Sequence, residues 1–158
     1  MIPYPHAGFG PQHAQELARL LHAGGKDFIG RPSFEHVHAT AGQLQHLGDR
    51  VLSVAAYLYN AIEYCGVTPE ELLIDGVPPG SVDIIKILQQ KENEPYDQYI
   101  LRIAKHPKAR VIKLAALIHD TIPQRLIKFA EKNKIAAGKI MIENTWAKTV
   151  LVNAGASI

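Results

Sequence analysis

The sequence predicts an all-α protein, built as a compact single-domain helical bundle. Three observations point there. Apolar residues recur at three- and four-residue spacing through almost the whole chain. Helix start and stop signals punctuate that pattern. No segment shows the sustained apolar–polar alternation that a sheet would need.

From about Pro11 to Ala23, the residues Ala14, Leu17, Leu20 and Leu21 share one side, and Gly24-Gly25 ends the helix. Ser33 is placed to cap a second helix that runs to about Leu47, with Gly48 as its stop. Asp49 or Ser53 precedes an apolar helix that continues to Cys65-Gly66. Thr68-Pro69-Glu70-Glu71 is a start signal, with Thr as cap, Pro at the first helical position and Glu where a capping box needs it. Gly76-Val77-Pro78-Pro79-Gly80 reads as a loop. Ser81 to Gln90 and Glu94 to Lys105 follow as short helices, the second carrying Tyr96 and Tyr99 on one side. Pro107 opens a long helix through Ile118, and Pro123 kinks or restarts it before a helical stretch from Ile122 to Asn133. Ile140 to Val152 is ambiguous. Thr145, Thr149, Val150 and Val152 favour strand, while the neighbouring helices favour helix. Ala154-Gly155-Ala156-Ser157 is expected to fray. The expected organisation is an N-terminal extension over 1–10, a helical domain over 11–150 and a tail over 151–158.

Bulk properties narrow the class. A length of 158 residues fits one domain, and 47% hydrophobic residues suffice for its core. The formal charge is +2, without a strong basic run, which gives no case for a nucleic-acid surface but leaves room for a local anion pocket. The single cysteine, Cys65, excludes an internal disulfide and a multi-cysteine metal site, and is expected to be inert. Met1-Ile2-Pro3-Tyr4-Pro5-His6 lacks the regions of a signal peptide. No apolar run approaches the ~20 residues needed to span a membrane. The expectation is a cytoplasmic protein with a small-molecule ligand, no nucleic-acid or membrane partner, and homo-oligomerisation left open.

Chemistry-bearing residues gather in three blocks. They are Gly30-Arg31-Pro32-Ser33-Phe34-Glu35-His36, Ala55-Ala56-Tyr57-Leu58-Tyr59-Asn60-Ala61-Ile62-Glu63-Tyr64-Cys65-Gly66-Val67-Thr68, and Val111-Ile112-Lys113-Leu114-Ala115-Ala116-Leu117-Ile118-His119-Asp120. On a continuous helix, Tyr59, Asn60 and Glu63 share a face. They suit a polar pocket with Glu63 as acid or base, or equally a satisfied and inert internal network. Lys113, Ala116 and Asp120 share a stripe, with His119 beside it. Lys113 suits a phosphate or carboxylate there. Lys26, Arg31, Arg102 and Arg125 are candidate anion contacts, each of which also reads as a solvated surface charge. His36 and His38 diverge on a helix, so only one of them faces a pocket.

In their order, these blocks resemble the HD-domain guanosine polyphosphate (ppGpp) hydrolases of RelA/SpoT type, over roughly residues 10 to 130. His22 before a Gly-rich turn, Tyr96 with Tyr99 and Arg102, and Lys113-Leu114 through Arg125 extend the likeness. The resemblance implies an HD-type helical fold. It also implies one divalent cation, usually manganese, held by a His, a His-Asp pair and a later Asp. Matched residue by residue, His36 stands at the first ligand, Tyr59 and Asn60 at the pair, and Ala116 at the last. The Glu-Asp pair that manages the attacking water falls on Glu63 and Tyr64. His119-Asp120 is not the His-Asp block. It stands where the family has His-Asn or Tyr-Asn, whose Asn is associated with nucleotide contact.

Three readings stay open. In the leading one, the pocket works without metal and without another cofactor, binding or converting a nucleotide-like or small anionic molecule. Glu63, Tyr59, His36 and His119 are then its acid–base groups, and Asn60, Lys113, Asp120, Lys26, Arg31 and Tyr96 its binding groups. In the second, a metal-dependent (p)ppGpp or nucleotide pyrophosphohydrolase has a rearranged site built from His36, Glu63, His119 and Asp120. In the third, the domain binds a partner and its pocket is inert.

Overall fold

The structure, a computed structural model, describes residues 8–158. The first seven residues of the expected N-terminal extension lie outside them. Ten α-helices follow one another, with no β-strand among the described residues; Lys26 and Pro32 form an isolated bridge.

The first two helices among the described residues are α1 (Pro11–Leu21) and α2 (Ser33–Leu44), the latter closed by a short 3-10 turn over Gln45–Leu47. Gly48 takes the left-handed conformation (φ 65) that ends that turn. The third helix, α3 (Arg50–Leu58), starts at Asp49, whose side chain accepts from Leu52 N at 3.0 Å. Its Leu52, Val54, Ala55, Ala56 and Leu58 are all buried, and α1, α2 and α6 pack around it. Ala55 and Ala56 carry little bulk, which lets those helices approach. The Leu58, Ile85, Ile100 and Ile112 side chains are fully buried. Each contributes about 1.5–3 kcal/mol by leaving water, so they fix α3, α6, α7 and α8 as one core.

The expected helix through Cys65 is broken. After Tyr59 and Asn60 the chain turns, and a separate short helix α4 (Ala61–Cys65) follows. The Tyr59 carbonyl, freed from a helical bond, accepts from the Gln89 amide at 2.9 Å. Tyr59, Asn60 and Glu63 therefore do not share a continuous helical face. Thr68 and Glu71 form the expected capping box ahead of α5 (Pro69–Ile74). The next helix, α6 (Pro79–Ile87), opens two residues before the expected start, because Pro79 suits the first helical position and Pro78 precedes it in an extended conformation.

Two further helices, α7 (Tyr96–Ala104) and α8 (Pro107–Asp120), match their expected spans closely, and Pro123 restarts the chain as α9 (Pro123–Lys132). The ambiguous C-terminal stretch is one long helix, α10 (Lys134–Asn153), capped by Asn133 Oδ1 on Ala136 N at 3.0 Å. It packs on α7, α8 and α9, and that packing overrides the β-branched residues' local preference. The residues after it do not fray. Gly155 (φ 112) turns the chain so that Ala156 N bonds Leu151 O at 3.0 Å, and Ala156 is buried. No described helix is long and apolar enough to cross a membrane.

Candidate functional site

A cavity of about 420 Å³ opens between α2, the Tyr59–Asn60 corner, α8 and the loop joining α1 to α2. The Asp27 side chain shapes that loop. Its Oδ1 accepts from Ile29 N (3.0 Å) and Arg31 N (2.9 Å), and Gly30 supplies the left-handed residue (φ 83) the turn requires. This arrangement sets Lys26, Asp27 and Phe28 against the cavity.

Along one wall, side chains from three distant segments form a chain of hydrogen bonds. Tyr59 Oη lies 2.6 Å from His36 Nε2, and His36 Nδ1 lies 2.8 Å from His119 Nδ1. Asp120 Oδ1 is 3.4 Å from the same His36 Nδ1. A carboxylate beside Nδ1 favours the proton there. His36 then donates from Nδ1, and its Nε2 accepts from the tyrosine hydroxyl. Arg125, buried beneath, reaches Asp27 Oδ2 at 3.1 Å and Asp120 Oδ1 at 3.5 Å.

Burial, reinforced by Arg125 and Lys113, pulls the His36 pKa down to about 4. Burial, the neighbouring His36 and Arg125 pull His119 to about 4 as well. Both rings are neutral near pH 7. Burial raises Tyr59 well above its ordinary value and raises Asp120, the latter opposed by Arg125 and Lys113. Burial lowers Lys113. The depressed histidines give a pH dependence of stability. Between about 4 and the ordinary 6.5 the unfolded chain holds more protons than the native one, so stability rises with pH across that window. The urea midpoint is expected to fall between about pH 6.5 and pH 4.5, and His36→Gln is expected to flatten that decline.

On the opposite side, the Asn60 amide turns away from His36. Its Oδ1 lies 3.1 Å from His22 Nε2, and His22 Nδ1 lies 2.9 Å from Ser33 Oγ. Ser33 is the first residue of α2 rather than its cap, which is Pro32. Its hydroxyl is spent on the imidazole. Burial lowers the His22 pKa. Cys65 is half-buried with Sγ 3.8 Å from both His22 ring nitrogens, and burial raises its pKa.

Lys113 lines the cavity with its ammonium 5.2 Å above the Tyr99 ring. Glu63 and Tyr64 line it from exposed positions, Tyr64 at 72%. Ala116 also lines the cavity, from a buried position. His119 is not itself a lining residue and enters only through His36. Three further candidates stand outside. Arg31 forms an exposed fork with Glu35 at 3.0 Å on both arms. Tyr96 points toward Asn144, 3.5 Å away. Arg102 is also withdrawn, bonding Ile87 O, Gln89 O and Glu94. His38 is exposed. Asp27, Phe28, Ser33 and His22 were not singled out as site residues by sequence; only the His22 match and the Gly-rich turn hinted at this region.

For a metal, the four matched positions offer an imidazole, a phenol, an amide and a methyl group. That set does not fit manganese, which prefers carboxylate and other hard oxygen donors. A different set is closer. Ligand atoms of His36, His119 and Asp120 all lie within 4.8 Å of one another.

No family model matches the chain. Over 136 residues, 78% of its length, it is 32% identical to a probable GTP pyrophosphokinase of Mycobacterium leprae. It is 28% identical to a GTP pyrophosphokinase of Streptomyces coelicolor over 136 residues, 79% of its length. It spans only 17% and 16% of those relatives. A solved structure described as a metazoan ortholog of SpoT that hydrolyzes ppGpp shares the fold, with TM-score 0.60 and 18% identity, covering 91% of this chain and 92% of the other. Helical architecture and sequence likeness agree, and together they support an HD-like helical domain similar to those of the RelA/SpoT family.

Proposed function

We propose that the cavity binds a guanine-nucleotide-like, phosphate-bearing molecule without the divalent cation that the family uses. One observation carries this reading: the His36 imidazole and the Tyr59 hydroxyl, at two matched ligand positions, bond each other at 2.6 Å. Asn60, at the third, is engaged by His22, and Ala116, at the fourth, has no donor. Lys113 and Lys26 supply positive charge for phosphate oxygens, and Tyr64, Tyr99 and Phe28 supply apolar surface. The ligand class comes from the relatives, which are named as GTP pyrophosphokinases and a ppGpp hydrolase.

Without a metal to acidify water, attack on a pyrophosphate loses its main activator. Binding therefore leads in this reading. Any turnover falls to Glu63 as general base at the cavity mouth, with the Tyr59–His36 pair as proton carrier. In thermal-shift measurements, GDP, GTP or ppGpp is expected to raise the melting temperature equally in EDTA and in manganese, and Lys113→Met is expected to remove the rise. Stoichiometric metal in the purified protein, with nucleotide turnover that EDTA abolishes, would overturn the proposal.

The proximity of His36, His119 and Asp120 favours a second reading, a rearranged metal-dependent hydrolase. Two imidazoles and a carboxylate suit zinc or iron. Glu63, expected in that set, is not part of the group. The Arg125 guanidinium 3.5 Å from Asp120 competes with a cation for the same carboxylate. The metal analysis above separates the two.

A further inference from the structure

Ser33, His22 and Asn60 form a second hydrogen-bonded group in the cavity wall, distinct from the Tyr59–His36–His119 chain. An amide oxygen only accepts, so the 3.1 Å contact with Asn60 Oδ1 places the His22 proton on Nε2. That tautomer leaves a lone pair on Nδ1, 2.9 Å from Ser33 Oγ, and the serine hydroxyl donates to it. A hydroxyl bonded to an imidazole, which is itself oriented by a third group, is the arrangement that activates a nucleophile, whatever the order of the three in sequence. We propose that Ser33 is a nucleophile, with His22 as its base and Asn60 as the orienting residue, and that it accepts a phosphoryl group from a phosphoric ester or anhydride held in the cavity.

The placement fits each role. Ser33 and Asn60 line the cavity, while His22, at 4% exposure, sits behind them. Gly25 makes room for the hydroxyl. A Cβ there would meet Ser33 Oγ at 2.6 Å and the His22 carbonyl at 3.2 Å. Ser33 opens the 12-residue helix α2, whose N-terminal dipole favours an anionic group, and Lys26 and Lys113 share the cavity.

In the step, Ser33 Oγ attacks phosphorus and the Oγ–P bond forms. The bond from phosphorus to the leaving oxygen breaks, and its electron pair departs with that oxygen. His22 Nδ1 takes the hydroxyl proton and passes it to the leaving group. Water, activated by the same nitrogen, then attacks the phosphoserine and restores Ser33. The inference goes beyond the nucleotide reading and does not depend on it.

The test treats the full chain, in EDTA, with an alkyl fluorophosphonate, whose P–F bond breaks as the Oγ–P bond forms. Intact mass and peptide mapping are expected to show one adduct per chain, at Ser33. The rate is expected to fall by at least about 100-fold in His22→Gln, the scale of general-base assistance. Gly25→Ala, which displaces the hydroxyl while keeping all three residues, is expected to slow labelling comparably. Ser33→Ala is expected to give no adduct. Melting temperatures identify any variant that fails to fold. The wild-type chain decides alone: no adduct, an adduct elsewhere, or Ser33 labelled no faster in native than in urea-unfolded protein overturns the proposal. The probe carries no nucleobase, so labelling and the nucleotide thermal shift fail independently.

Discussion

Replacing Arg125 by Met is expected to lower the unfolding free energy by about 3–5 kcal/mol, the cost of breaking a buried ion pair on one side. Arg125 and Asp27 side chains are only 10% and 9% exposed, 3.1 Å apart. Without the guanidinium, Asp27 Oδ2 loses its partner, and Asp120 loses the cation 3.5 Å away. The loss reaches the site as well, because Asp27 Oδ1 organises the turn that carries Lys26 and Phe28. Arg125 also lies 5.1 Å over the Phe28 ring. For a chain of this size, about 2–4 °C per kcal/mol predicts a melting temperature lower by roughly 6–20 °C. Urea unfolding measures it directly. Combining Arg125→Met with Asp27→Asn is expected to recover part of the loss, since the stranded charge is removed. A loss under about 1 kcal/mol would mean that the pair behaves as an exposed one.

A variant carrying Tyr59→His, Asn60→Asp and Ala116→Asp is expected to gain manganese-dependent stability that the natural sequence lacks. The three changes supply an imidazole and two carboxylates beside His36, the donor set that the resemblance implies. A ligand at 100 times its dissociation constant adds about 2.7 kcal/mol to the folded state. The variant should therefore melt roughly 5–10 °C higher with excess manganese than in EDTA, while the natural chain does not move. An equal manganese shift in the natural chain would remove the metal-free proposal. Ala116→Asp alone is the control, because one added carboxylate leaves the Tyr59–His36 bond in place and is expected to bind weakly.

Much of the fold is written locally. Thr68, Pro69 and Glu71 start a helix through contacts within four residues, and Pro107 and Pro123 open theirs by the same short-range geometry. Where the outcome depends on a remote partner, local reading fails. The turn at Tyr59–Asn60 comes with a bond from Gln89, thirty positions away in sequence. The C-terminal stretch becomes helix because α7, α8 and α9 offer it a packing surface. Ala156 is held because Gly155 folds it back on Leu151.

The site divides along the same line. By itself, the sequence determined which functional groups are available: one imidazole at His36, a phenol and an amide where a His-Asp pair is matched, a methyl group at Ala116, and Lys113 and Glu63 nearby. Residue types and their order are properties of the chain, and they suffice to weigh donors against what a metal needs. Only the tertiary structure decided which groups meet. It joined His36 to His119 across 83 positions and Arg125 to Asp27 across 98, and it turned Asn60 from His36 to His22. It also left Arg31 and Tyr96 outside the cavity and brought Ser33 into it. The reason is physical: a hydrogen bond requires approach to about 3 Å in a defined direction, and helix packing across the whole chain sets that approach.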